Sequence, residues 1–144
     1  MRLAEIRMKV EAATAKLIAN DSVLLDNDTH EISISSKLGA YLRELTTNAD
    51  CEYNRHILDV KTLYGYKKIR PDILIHQRLT DANNLLVIEI KKHDKPDDDL
   101  ETLTAMTVKG GEYGYDFGLF LAFEKRDNKW FPLLRWFENG AEIA

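Results

Sequence analysis

Asp72, Glu89 and Lys91 are the residues whose types and spacing could do chemistry, because each falls in a stretch that reads as a β-strand. Side chains alternate along a strand, so Asp72, Leu74 and His76 share one face over Pro71–Gln77. Leu85, Val87, Glu89 and Lys91 share one face over Leu85–Lys91. A turn that sets His76 against Leu85 also sets Leu74 against Val87 and Asp72 against Glu89. Opposed side chains have Cβ atoms about 4.5–5.5 Å apart, close enough for two carboxylates to share a divalent cation. Like charges placed this way destabilise a sheet unless something neutralises them, and oxygen donors favour Mg2+ or Mn2+ over zinc. Lys91 emerges on the same face, where an ammonium can orient a water or offset charge on a phosphate. The chemistry expected of this trio is metal-assisted hydrolysis of a phosphodiester. The competing reading has Asp72 merely opening a strand while Glu89 pairs with Lys91 on an exposed edge. Against it, a carboxylate that follows the apolar run Leu85–Ile88 is costly to bury without a partner.

The elements that must position these groups follow from periodicity. Leu3, Ile6, Val10, Leu17 and Ile18 recur near a 3.6-residue period and predict a helix from Arg2 to about Leu25. Leu38, Tyr41, Leu42 and Leu45, preceded by the hydroxyls of Ser33, Ser35 and Ser36, predict a second helix from about Ser35 to Leu45. Cys51–Leu58 reads as extended. Pro71–Gln77 and Leu85–Lys91 read as a hairpin across the turn-prone residues 80–84. Asp97, Asp98 and Asp99 are acids suited to a helix N-terminus and predict a third helix from about Asp98 to Val108, which Gly110 and Gly111 end. Gly118–Phe123 is a buried strand by composition, and Trp130–Phe137 is a candidate last strand that Pro132 weakens. Helices interleaved with a short mixed sheet predict a layered α/β sandwich with one or both sheet faces covered.

The chain of 144 residues, with 44% hydrophobic and 31% charged content, is expected to form one domain over residues 1–144. Its apolar runs fall far short of the roughly 20 residues that span a bilayer, and its start does not read as a secretory signal, so a cytoplasmic protein is expected. A single cysteine, Cys51, is expected to be a small packed side chain. The net charge of −4 is uneven: residues 54–95 hold 9 Lys/Arg against 5 Asp/Glu, whereas both flanking segments are net acidic. Cations therefore gather in the third of the chain that carries the trio, where a polyanion would dock. Arg55, Lys61, Lys67, Lys68, Arg70 and Lys92 are the candidate phosphate contacts, with Tyr64 and Tyr66 as stacking surfaces between them. The alternative is that long cationic side chains only cap strand ends. His76 reads as a satisfied strand histidine, Tyr113 and Tyr115 as packing residues, and Trp130 and Trp136 as anchors of the C-terminal segment.

Arg70-Pro71-Asp72-Ile73-Leu74-Ile75-His76 followed by Asn84-Leu85-Leu86-Val87-Ile88-Glu89-Ile90-Lys91-Lys92 resembles the signature of the PD-(D/E)XK nucleases, the restriction-endonuclease-like superfamily. The resemblance covers about Ser33 to Phe123. It implies a central mixed sheet of about four strands flanked by helices, with Asp72 and Glu89 holding Mg2+ and Lys91 positioning the attacking water. It also implies the backbone carbonyl of Ile90 as a metal donor, and a further carboxylate on or beside the preceding helix, for which Glu31 is the nearest candidate and Glu44 a more distant one. The expected activity is a nuclease, an endonuclease acting on DNA. The alternative is the same fold kept as a non-catalytic module for nucleic-acid binding or protein interaction. The small size leaves little room for a separate specificity domain, so a homodimer or a protein partner is a further expectation.

Overall fold

A computed structural model describes residues 2–27, 31–44, 49–51, 55–56, 59–60, 62–63, 67–76 and 83–144. Helices α1 (Leu3–Asp21), α2 (Val23–Asp26) and α3 (Glu31–Arg43) precede strand β1 (Ala49–Cys51). Four two-residue strands follow: β2 (Arg55–His56) pairs with β3 (Asp59–Val60), and β4 (Thr62–Leu63) with β5 (Lys67–Lys68). Then come β6 (Ile73–Ile75), β7 (Leu86–Ile90), α4 (Asp99–Thr107), β8 (Phe117–Arg126), β9 (Lys129–Glu138) and β10 (Ala141–Ile143).

The main sheet has six strands in the order β1-β6-β7-β8-β9-β10. Only β7 and β8 run parallel, and α4 makes the crossover that a parallel pair requires. The protein is thus an α/β fold with a mixed sheet covered on both faces. On one face Ile73, Ile75, Leu86, Ile88, Ile90, Leu119, Leu121 and Phe123 pack against Ile6, Val10 and Leu17 of α1 and Ile34, Leu38 and Leu42 of α3. On the other, Leu74, Val87, Phe120 and Ala122 pack against Leu103 and Met106 of α4. A Cβ built at Gly118 would lie 3.1 Å from Thr107 and 3.3 Å from Leu103, so the absent side chain is what lets α4 lie close over the sheet.

Several expectations are corrected. The first helix breaks at Ser22, within Asn20-Asp21-Ser22, whose short polar side chains compete with the helical backbone. The second helix starts at Glu31 rather than near Ser35, because Ile34 joins Leu38 and Leu42 in its buried stripe. Ser35 is not a cap, and its hydroxyl donates to the Glu31 carbonyl at 3.1 Å. Of the expected Cys51–Leu58 strand, Cys51 closes β1 in the main sheet and Arg55–His56 belongs to a separate two-stranded ribbon, while residues 52–54 and 57–58 lie outside the described residues.

The sheet exceeds the expected four strands because β8 and β9 run ten residues each and β10 adds another. Pro132 stands inside β9 opposite Phe123. It is tolerated because β10 reaches only Trp136–Glu138, leaving that stretch of β9 at the sheet edge, where a missing N–H breaks no ladder. Both closing turns use left-handed backbone, at Asp127 (φ 51) and Asn128 (φ 62), then at Asn139 (φ 48) and Gly140 (φ 75). Positive φ at both central residues is the signature of the tight two-residue hairpin turn. Among the described residues no helix is long and apolar enough to cross a membrane.

Candidate functional site

The β6–β7 register pairs Ile73 with Ile88, Leu74 with Val87 and Ile75 with Leu86. Carried one step past β6, it sets Asp72 against Glu89, as the alternation predicts. Leu74 and Val87 face α4, so Glu89, two residues beyond Val87, lies on the α4 side. Burial pushes the Glu89 carboxyl well above the usual carboxylate range, and the charges of Asp72 and Asp99 push it further. That triple influence places Asp72, Glu89 and Asp99 in one electrostatic neighbourhood.

The end of β7 is held in an uncommon way. Lys91 N–H donates to the Leu121 carbonyl at 3.0 Å, extending the β7–β8 ladder. On the opposite flank β6 has ended, and two carboxylates accept in place of strand carbonyls. Ile90 N–H donates to Asp72 Oδ2 at 2.7 Å, and Lys92 N–H donates to Glu31 Oε2 at 2.8 Å. Buried backbone amides must find acceptors, and here the acidic side chains supply them. Asp72 and Glu31 therefore fix the strand that carries Glu89 and Lys91. Ile90, whose carbonyl the resemblance enlists, is buried between them.

Lys91 is clamped from the start of α4. Its Nζ lies 3.5 Å from Asp97 Oδ2 and 3.7 Å from Asp99 Oδ2. Burial opposes its charge, but Asp99, Glu31 and Asp97 outweigh that and raise its pKa. Lys91 therefore stays an ammonium. Asp97 reaches it from a left-handed backbone, φ 43, and remains mostly exposed. Asp99 is largely inward, with a side chain 14% exposed, and burial raises its pKa. Its Oδ2 is buried without a hydrogen-bond partner among the described residues.

No family model, curated protein or solved structure matches this chain. The site therefore has to be judged on its own groups. Among the described residues no three His, Cys, Asp or Glu side chains stand arranged around one point as a ready metal site. The donor chemistry nevertheless fits Mg2+ or Mn2+. The groups are carboxylates, Asp99 Oδ2 is an orphaned buried acceptor beside Glu89, and Mg2+ needs only one or two carboxylates because it keeps several waters.

The remaining sequence candidates divide. Arg70 is exposed just before Pro71. Lys92 is half-buried and its Nζ donates to the Asn27 carbonyl, which ties it to the segment before α3. Arg55, Lys67 and Lys68 lie on the short ribbons, whereas Lys61, Tyr64 and Tyr66, together with Gln77 and residues 80–82 of the hairpin turn, lie outside the described residues. His76 is buried, with Nε2 2.8 Å from Asp50 Oδ2, and so has the partner expected of a core histidine. Tyr113 and Tyr115 are buried in the α4-side core, and Trp136 is buried in the opposite one. Glu44 is drawn away to an exposed ion pair with Lys16 at 2.6 Å.

Asp99 is the residue that sequence reasoning missed, having been taken with Asp97 and Asp98 as one of three helix-start acids. The available signal was its place in the helix: Asp99, Leu103 and Met106 follow the i, i+4, i+7 spacing of a single face, and the latter two are buried.

Proposed function

We propose that this chain is a Mg2+- or Mn2+-dependent nuclease of the restriction-endonuclease-like type, hydrolysing phosphodiester bonds in DNA. The observation that carries the reading is the β6–β7 register, which sets Asp72 against a buried Glu89 with Lys91 two residues further along. The order α3, β1, β6, β7, α4, β8, with the four strands adjacent and one parallel pair, agrees with the core that the resemblance implies.

In this reading Asp72 and Glu89 hold the cation, with the Ile90 carbonyl as a backbone donor. When bound, the cation supplies charge neutralisation and polarisation of the phosphoryl oxygens. The chain's own residues do the rest. Lys91, kept cationic by its acidic neighbours, orients water toward phosphorus and offsets negative charge on the phosphate. Glu31, the resemblance's further carboxylate, anchors Lys92 N–H and so steadies the strand end. Arg55, Lys61, Arg70 and Lys92 would meet the DNA backbone.

The test is cleavage of plasmid and oligonucleotide substrates in Mg2+ and Mn2+. Asp72→Ala, Glu89→Ala and Lys91→Ala should each abolish it while circular dichroism stays unchanged. Cleavage at the wild-type rate by all three variants would sink the proposal.

One observation favours a second reading. Asp72 is engaged by the Ile90 amide and Lys91 by two aspartates, so the trio also serves as the scaffold of the strand end. That suits a non-catalytic module of the same fold, and salt-sensitive DNA binding without cleavage in any divalent metal would select it.

A further inference from the structure

We infer that the β8–β9 ribbon is a DNA-docking arm: its tip enters the major groove of a duplex lying across the end of β7, with Arg126 and Lys129 on the flanking phosphates. The inference rests on the nuclease reading above and deepens it by naming duplex DNA and the element that grips it.

Topology carries the first part. Leu121 is level with Ile90, the last residue of β7, and β8 runs five residues further to Arg126. On the other flank β10 reaches no further along β9 than Trp136. Among the described residues, Ala122 to Leu133 is therefore a ribbon with no third strand beside it, closed by the two-residue turn Asp127-Asn128. Two strands about 4.8 Å apart fit the major groove, which is about 12 Å wide and admits such a ribbon. The ribbon also leaves the sheet at the end where Glu89 and Lys91 stand. Phe120 is level with Glu89, and Arg126, an even number of residues on, lies on the same face. At about 3.3 Å per residue the two levels are about 20 Å apart, within one duplex turn of about 34–36 Å, so one DNA molecule spans both.

The side chains carry the second part. On that face the Arg126 guanidinium lies 4.2 Å from the Phe131 ring centre, a stack that holds its planar fork over the ribbon. Glu124 Oε1 meets its Nε at 3.2 Å, an exposed pair that contributes little and leaves other N–H groups for a phosphate. Lys129, opposite Arg126 across the turn, is exposed. On the other face the arm is braced. Asp26 Oδ1 accepts from Lys125 Nζ and from Trp130 Nε1, each at 2.8 Å. The next residue, Asn27, accepts from Lys92, so the brace reaches the strand end at the site. A two-stranded ribbon alone is marginal in water, and this brace keeps it extended.

The experiment is fluorescence anisotropy with a labelled duplex of about two turns and with its separated strands. Wild type, Arg126→Gln, Lys129→Gln, their double variant and Lys109→Gln are titrated across salt concentrations, in chelator and in Ca2+, each with its melting temperature checked. Lys109 is an exposed cation beside Asn139, at the opposite end of β9, and controls for general charge. The slope of log affinity against log salt should shrink by about 0.9 for each tip cation removed and by about 1.8 in the double variant. Lys109→Gln should keep the wild-type slope, and the duplex should bind more tightly than either strand. Arg126→Lys, which keeps the charge, should keep the slope as well. The two single variants alter separate side chains, so misfolding of one leaves the other as the test.

Wild-type slopes in the folded tip variants overturn this inference and leave the nuclease reading to its cleavage assay. An equal fall in Lys109→Gln overturns it too, because general charge is then responsible. Separated strands bound as tightly as the duplex overturn the groove assignment. No DNA bound by the wild type in either buffer overturns the arm outright, and cleavage in Mg2+ still decides the nuclease reading by itself.

Discussion

Glu89→Gln should stabilise the metal-free protein. Gln matches Glu in shape and removes a charge that burial and the carboxylates of Asp72 and Asp99 all disfavour. Replacing a poorly compensated buried charge by a neutral group is commonly worth about 1–4 kcal/mol. The Gln amide can in addition donate to a neighbouring carboxylate, and a net gain of about 1–3 kcal/mol is expected. At about 2–4 °C per kcal/mol for a chain of this size, the melting temperature in chelator at pH 8.5 should rise by roughly 2–12 °C.

The gain must depend on pH in one direction. A carboxyl whose pKa is raised by folding costs nothing where both states are protonated, so the variants should converge toward about pH 4. The wild type should lose stability as pH rises from the ordinary glutamate value of about 4.3 through the raised one. Saturating Mg2+ at about 100 times its dissociation constant should restore about 2.7 kcal/mol to the wild type and nothing to the variant. Differential scanning calorimetry across pH, with and without metal, reads all three. A metal-free Gln variant less stable than wild type at pH 8.5, or one equally favoured at pH 4, would refute the argument that Glu89 is held against its electrostatics.

Asp72→Ala should cost about 1–3 kcal/mol in urea unfolding, because the Ile90 amide loses its 2.7 Å acceptor inside the protein, whereas Asp72→Asn keeps a carbonyl there and should recover most of it. Equal losses in both variants would show that the bond to Ile90 is not what matters. Gly39→Ala should cost about 1–3 kcal/mol, since its Cβ would stand 2.5 Å from Cys51 Sγ where α3 crosses β1. Cys51→Ala should relieve much of that cost in the double variant, and strict additivity in the cycle would place the strain elsewhere.

The β6–β7 hairpin was legible because a period of two leaves little freedom: once Leu74 and Val87 both seek the core, their pairing carries Asp72 opposite Glu89. The last two hairpins were legible in part. Asn139-Gly140 is the strongest short hairpin signal, yet β10 was not expected and Pro132 weakened the reading of β9. What proline costs depends on whether another strand lies alongside, and that is a tertiary fact. Glu31 fell outside the expected helix because three nearby serines suggested a later start, whereas the burial of Ile34 decides the earlier one.

A single geometric cause links the two acids whose roles were least visible. Glu31 heads a stripe continued by Ile34, Ser35, Leu38 and Leu42, and Asp99 heads one continued by Thr102, Leu103 and Met106. Everything after the first residue of each stripe is buried, and the two helices cover opposite faces of the sheet. An acid at the head of a buried stripe must lie against the sheet at the helix N-terminus, where the helix dipole favours its charge. Both helices begin at the same sheet end, because Glu31 meets Lys92 and Asp99 meets Glu89 and Lys91 around the last residues of β7. The acid run before α4 can be read in the sequence as three equal charges. Only the rotation of the helix, set by Leu103 and Met106 against Val87 and Phe120, turns Asp99 toward the site and leaves Asp97 in solvent.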